Sequence, residues 1–153
     1  MNSDTDAFLA ATRQTFATYE ALSATTGPDR AWQTMLEGYP ERQRQRMTPF
    51  LSRPTLAEGF TSSIPFFERI GMKMSVVDIS NRGVDAVLEI QRYCPYLQIG
   101  KEHRQATPCH VMCEMDVEAT RRAFPDMKGT ILSRQATGDC VCLFRYERPM
   151  RQA

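Results

Sequence analysis

The hydrophobic pattern of the chain changes its period near residue 72, and this change limits the fold class more than any other feature. Up to residue 71 the apolar residues recur at helical spacing, in segments broken at Gly27-Pro28 and at Gly38-Tyr39-Pro40, and a short helix is predicted over residues 61–71. Between Val84 and Gln91 the period is instead two, because the apolar residues Val84, Ala86, Leu88 and Ile90 occupy every second position. This alternation predicts a strand with one buried face. We expect residues 73–79 to form its antiparallel partner, because Ser80 to Gly83 has the composition of a hairpin turn.

Two further segments complete the predicted fold. Thr107 and Pro108 suit the start of a helix that ends at Phe124-Pro125, and a second hairpin follows, with strands over residues 130–135 and 139–146. The sequence therefore predicts an α+β fold. N-terminal helices precede two β-hairpins that form a mostly antiparallel four-stranded sheet, with a helix between the hairpins. We expect one domain over residues 1–153, helical over residues 1–71, with the sheet and a cysteine-bearing helix over residues 72–153.

Composition excludes several classes of function. The chain has 153 residues and a net charge of +1, which gives no electrostatic reason to bind nucleic acid or an anionic membrane. No apolar run approaches the roughly 20 residues that span a bilayer, and the polar N-terminus does not resemble a signal peptide. We therefore expect a cytoplasmic protein, and interpret the basic stretch Arg42, Arg44 and Arg46 as a solvated helix face.

All five cysteines and both histidines lie after residue 93. In a cytoplasmic protein these thiols are expected to stay reduced. Cys109 and Cys113 are four residues apart on the predicted helix, so they share one face, close to Asp116. In the first turn of that helix, free backbone N–H groups and the helix dipole would favour Cys109 as a thiolate. His110 is expected to point elsewhere and to face Glu114.

The remaining thiols lie at strand ends. Cys94 precedes a proline at which the chain must turn, and Cys140 and Cys142 share a face of the last predicted strand. Buried cysteines that only fill space are one interpretation of these residues. Thiolates that bind zinc or an iron–sulfur cluster are another, and the candidate ligands are Cys94, Cys109, Cys113 and Cys142.

Three short blocks carry a resemblance to a known family. They are Cys94-Pro95, the run from Cys113 to Asp116, and the run from Gly138 to Tyr146. In these blocks the chain resembles the L-2-amino-thiazoline-4-carboxylic acid hydrolase family. The resemblance implies the hydrolytic opening of a cyclic isothiourea to an N-carbamoyl cysteine, without a cofactor. The same blocks have a distant likeness to 4-vinyl reductase-type domains that bind small molecules, so a non-catalytic binding role stays open.

The resemblance also implies roles for residues of these blocks. We expect Cys113 to be the nucleophile or its close support, and Asp116 or Glu114 to be the general base or the anchor of the amidinium group. Cys94 and Cys142 are expected to complete the catalytic pocket.

The substrate's carboxylate requires a partner of its own. Arg104 is the preferred candidate, because the alternation of the last strand points Arg145 away from Cys142. His103 and Cys109 are further candidates for contact with the substrate. The expected partner is thus a small molecule, and a homo-oligomer is compatible with so small a domain.

Overall fold

The computed structural model of the protein describes residues 3–152, and within this range the chain forms six α-helices and four β-strands. No helix in this range is long and apolar enough to cross a membrane. The helices are α1 (Ser3–Thr26), α2 (Pro28–Leu36), α3 (Tyr39–Leu51), α4 (Leu56–Arg69), α5 (Tyr96–Glu102) and α6 (Cys113–Ala123). The strands are β1 (Lys73–Asp78), β2 (Val84–Tyr93), β3 (Lys128–Ser133) and β4 (Cys142–Pro149).

The strands form one antiparallel sheet in the order β1-β2-β4-β3, which confirms the predicted fold class. Within the connection between β1 and β2, Asn81 and Val84 form a β-bridge that encloses a two-residue loop, Arg82 and Gly83, whose φ angles of 48° and 80° both lie in the left-handed region. Two such residues in a two-residue loop match the twist of a hairpin, and the predicted turn is confirmed. Two helices, α5 and α6, separate the hairpins, and α5 was not predicted.

The predicted start of the helix that ends at Phe124-Pro125 was wrong. Residues 108–112 form successive turns, and α6 begins only at Cys113. The hydroxyl of Thr107 accepts a hydrogen bond from the backbone N–H of Cys109 at 3.1 Å, but no helix starts there. Val111 is buried against α1 together with Phe16, and this packing holds the segment away from helical geometry. Cys109 therefore does not lie in the first turn of a helix.

Two other boundaries also differ from the prediction. β4 begins at Cys142, so the exposed Cys140 precedes the strand and does not share a face with Cys142. The fourth helix begins at Leu56, before the predicted residue 61, because the hydroxyl of Thr55 accepts a hydrogen bond from the N–H of Glu58 and caps it.

The helix-covered face of β2 is the more polar of its two faces. Register places Val87 opposite Tyr146 and Glu89 opposite Phe144, and both aromatic rings are buried beneath the helices. The more apolar set of the alternation lies on the outer face, where Val84 is 37% exposed. Polar residues of the inner face have polar partners there, Arg148 for Asp85 and Gln91 for Glu89.

The strongest of these partnerships is a buried ion pair between β2 and β4. Arg148 Nε donates to Asp85 Oδ2 at 2.8 Å, and the two side chains are only 6% and 2% exposed. The same guanidinium donates to the carbonyl oxygens of Leu51 at 2.6 Å, at the end of α3, and of Arg53 at 3.0 Å, just beyond it. Asp85 in turn accepts the N–H of Leu56 at 2.9 Å, at the start of α4. One ion pair thus joins the two central strands to two helices.

Replacing Asp85 by Ala is expected to lower the free energy of unfolding by about 3–5 kcal/mol, because it leaves a buried guanidinium without a counter-charge. Urea unfolding followed by circular dichroism measures the change. The control is Arg145→Ala, which breaks an exposed ion pair with Glu147 and is expected to cost less than about 1 kcal/mol. Similar losses in the two variants would contradict the structural role of the buried pair.

Candidate functional site

A cavity of about 250 Å³ lies between the inner face of the sheet and the helices. Its lining is mainly aromatic and apolar, with a few polar groups at defined places, which is the usual composition of a small-molecule site. The aromatic lining residues are Phe8, Tyr39, Phe60, Phe66, Phe67, Tyr93, Tyr96, Phe144 and Tyr146.

Three of the five thiols line this cavity. Cys94 follows the end of β2, Cys113 is the first residue of α6, and Cys142 is the first residue of β4. Asp116, one turn further along α6, lines the cavity as well. The structure therefore brings four of the predicted site residues together from three separate segments, and all five cysteines are free thiols.

Cys94 and Cys142 form a hydrogen-bonded pair in the cavity wall. The interaction between the two thiols favours the protonated form of Cys94 and the thiolate form of Cys142. It raises the pKa of Cys94 and lowers the pKa of Cys142 to about 7. The backbone N–H of Gln135 also donates to Cys142 Sγ at 3.3 Å. Cys142 is therefore substantially a thiolate at neutral pH.

Cys109 and Cys113 form a second pair of the same kind. The interaction between the two thiols raises the pKa of Cys113 and lowers the pKa of Cys109 to about 6. The hydroxyl of Thr107 stabilises the Cys109 thiolate further. Cys109 is 4% exposed and does not line the cavity. The cavity-lining member of this pair is thus the one that carries the proton.

Arg134 supplies positive charge to both pairs. The pKa of Cys142 is lowered mainly by Cys94 and that of Cys109 mainly by Cys113. The charge of Arg134 lowers both pKa values by a smaller amount. Its Nη2 donates to Glu114 Oε1 at 3.2 Å, whereas its Nε is buried without a hydrogen-bond partner. The sequence did not point to Arg134, because it lies just beyond β3 and carries no motif.

Asp116 is held by two residues of α3. Its Oδ1 accepts from the hydroxyl of Tyr39 at 2.8 Å and from Nη2 of Arg46 at 2.5 Å. Burial and the negative charge of Asp116 together raise the pKa of Tyr39, which keeps this hydroxyl protonated. Arg42, Arg44 and Arg46 are all exposed, as expected of a solvated helix face, but Arg46 also lines the cavity at its accessible side, which the sequence did not predict.

Glu89 and Gln91 project into the cavity from β2, and sequence reasoning missed both as site residues. Gln91 Nε2 donates to Glu89 Oε1 at 2.8 Å. Burial raises the pKa of Glu89 to about 7, and the charge of Asp116 adds to the effect. The alternation of β2 did not indicate them as site residues, because it did not show which face of the strand the helices cover.

Several predicted site residues lie outside the cavity. Glu114 pairs with His110 at 3.0 Å and with Arg134, which confirms the expected contact of Glu114 and His110 but not a place in the pocket. Arg104 is exposed beyond the end of α5, because the chain turns there with a φ of 52°. His103 stacks on Phe16 and contacts Glu20 at 3.0 Å. The expected contacts of Arg104 and His103 with a substrate are therefore not supported by their positions.

A metal-binding arrangement was the alternative for the thiols. In the described range, 3–152, no group of three or more His, Cys, Asp and Glu side chains has the geometry to hold a metal ion. The interactions between the thiols group them in two pairs, Cys94 with Cys142 and Cys109 with Cys113.

Comparison with known proteins gives two positive findings. The family model of L-2-amino-thiazoline-4-carboxylic acid hydrolase matches residues 7–146. No curated protein sequence matches the chain. Among solved structures, the chain is similar to the phenol-responsive sensory domain of the transcription activator PoxR, determined with phenol. That likeness has a TM-score of 0.56 and 14% sequence identity, covers 93% of this chain and 76% of that chain, and concerns the fold alone.

The charge of Arg134 gives a test of the thiol arrangement. Alkylation of Cys142 by iodoacetamide is expected to reach half of its maximal rate near pH 7, because the thiolate is the reactive form. Arg134→Gln removes a positive charge that favours the thiolate, so the midpoint should move to higher pH. Peptide mass spectrometry measures the rate at each pH. The control is Arg121→Gln on the exposed side of α6, and an equal midpoint in both variants would refute the role of Arg134.

Proposed function

We propose that this chain, which belongs to the L-2-amino-thiazoline-4-carboxylic acid hydrolase family, hydrolyses a cyclic isothiourea or a related cyclic amidine in its cavity. The observation that carries the proposal is the Cys142 thiolate in the cavity wall, next to the protonated thiol of Cys94. A nucleophile beside a proton donor is what the opening of such a ring requires.

The first half of the reaction opens the ring. Cys142 Sγ attacks the carbon of the protonated amidine, and a tetrahedral adduct forms. The bond between this carbon and the ring sulfur then breaks, and the departing sulfur takes the proton of Cys94. In the resting state the Cys142 thiolate raises the pKa of Cys94 and keeps it protonated. Once Cys142 has bonded to the substrate this effect ends, so the pKa of Cys94 falls and Cys94 becomes a better proton donor.

The second half of the reaction releases the product. The Cys94 thiolate takes a proton from water, and the resulting hydroxide attacks the carbon bound to Cys142. Cys142 leaves as a thiolate, the urea group forms, and one proton passes to solvent. Cys94 is again a thiol, so both residues return to their starting state.

The other cavity residues have supporting roles in this proposal. Arg46 lies at the accessible side of the cavity and takes the substrate's carboxylate, the role that the sequence gave to Arg104. Asp116 holds Arg46 in position. Cys113 carries a proton in the resting state, which makes it a weaker nucleophile than Cys142.

Replacing Cys142 by Ser is expected to reduce turnover of 2-amino-thiazoline-4-carboxylate by about a thousandfold or more, since a serine hydroxyl is not ionised at neutral pH. Liquid chromatography of the N-carbamoyl product measures the rate. Cys140→Ser is the matched control, because Cys140 is exposed and lies outside the cavity, and its rate should be unchanged.

Two results would redirect this proposal. Loss of activity in Cys113→Ser together with full activity in Cys142→Ser would make Cys113 the nucleophile, as the sequence suggested. One equivalent of zinc or iron in anaerobically purified protein, found by elemental analysis, would assign the thiolates to a metal instead.

A second candidate function is non-catalytic binding of a small aromatic molecule. It is favoured by the aromatic lining of the cavity and by the fold that the chain shares with a phenol-responsive sensory domain. Under this reading, phenol should bind and no cyclic amidine should turn over. Isothermal titration calorimetry with phenol measures the binding, and Phe60→Ala, which enlarges the cavity, should weaken it about tenfold. Turnover of the thiazoline substrate would reject this reading as the sole function.

A further inference from the structure

The cavity contains a hydrogen-bond acceptor that the protein leaves unused. Gln91 is 8% exposed, and its Oε1 atom is buried without a hydrogen-bond partner. The other end of the same amide is occupied, because Nε2 donates to Glu89 Oε1 at 2.8 Å. A buried carbonyl oxygen without a partner is costly, so such an atom in a cavity wall indicates a donor that arrives with a ligand.

The neighbouring carboxyl also lacks a counter-charge. Among the described residues no arginine, lysine or histidine forms an ion pair with Glu89, and the charged group that affects it is the negative Asp116. Asp116 differs in this respect, because Arg46 neutralises it. The wall formed by Glu89 and Gln91 therefore offers acceptors and negative charge to the cavity, without a donor or positive charge of its own.

We propose that Glu89 and Gln91 form a binding site for a planar cation with two neighbouring N–H donors, an amidinium or isothiouronium group. One N–H of the ligand meets a carboxylate oxygen of Glu89, and the other meets Gln91 Oε1. This inference rests on the proposed function, whose substrate class it locates within the cavity. A fork of two N–H groups matches two adjacent acceptors better than a single hydroxyl does.

Strand register connects this site to the thiolate. Gln91 on β2 lies directly opposite Cys142 on β4, and both side chains line the cavity. Residues directly opposite in an antiparallel pair have their Cβ atoms about 4.5–5.5 Å apart. An amidinium held by Glu89 and Gln91 therefore has its central carbon close to Cys142 Sγ.

Benzamidine and benzamide test this site, because they have the same shape and differ in charge and in one donor. With the full chain, isothermal titration calorimetry should give benzamidine at least about a tenfold lower Kd than benzamide. Glu89→Gln should remove this preference and leave benzamide binding unchanged. The control is Glu37→Gln, an exposed carboxylate outside the cavity, which should keep the preference.

The outcomes separate this inference from the proposed function. Equal affinities for the two probes in the wild-type chain would overturn the site, and so would an unchanged preference in Glu89→Gln. If that variant does not fold, the comparison of the two probes on the wild-type chain still decides. Selective benzamidine binding without turnover of 2-amino-thiazoline-4-carboxylate would keep the site and reject the hydrolase. Turnover of 2-amino-thiazoline-4-carboxylate without any preference for benzamidine would support the hydrolase and reject the site at Glu89 and Gln91.

Discussion

The buried ion pair of Asp85 and Arg148 is the interaction on which the rest of the structure depends. Transfer of two charges from water into a protein interior is unfavourable, and their attraction offsets this only with further hydrogen bonds. Here the guanidinium also donates to the backbone carbonyls of Leu51, Arg53 and Pro54, and the carboxylate accepts the first N–H of α4. The pair therefore holds the connection between α3 and α4 against the two central strands.

The same pair fixes which side chains face the cavity. Asp85 lies opposite Arg148, and counting two residues at a time along β2 and β4 leads to Glu89 opposite Phe144 and Gln91 opposite Cys142. Side chains in a strand alternate between faces, so a slip of one residue would turn all of them to the outer face. The ion pair at one end of the strands thus sets the position of the carboxyl, the amide and the thiolate at the other.

Strand alternation and turn signals predicted the fold class, because they are local properties of the sequence. The convergence of Cys94, Cys113 and Cys142 was implied by the resemblance to the hydrolase family. The sequence did not predict which face of β2 is covered. That choice depends on Arg148, some 60 positions away, and the apolar residues of the strand suggested the opposite face. It also could not find Arg46 or Arg134, since their roles arise only where distant segments meet. The helical start at Thr107 was wrong for the same reason, as packing of Val111 against α1 outweighs the local capping signal.

The two proposed functions give the cavity different ligands, a cation or a neutral aromatic molecule, and the charge distribution in the cavity bears on the choice between them. The thiolates face the positive Arg134, and Asp116 faces Arg46, so both have a counter-charge within the protein. Glu89 has none among the residues that the structure describes, and its pKa of about 7 places it near the balance between its two forms. When protonated, it leaves the cavity suited to a neutral aromatic ligand. When ionised, it requires a cation, and a cation bound there stabilises the ionised form in return. The protonation state of Glu89 in the occupied cavity therefore distinguishes a hydrolase of cyclic amidines from a receptor for neutral aromatic molecules.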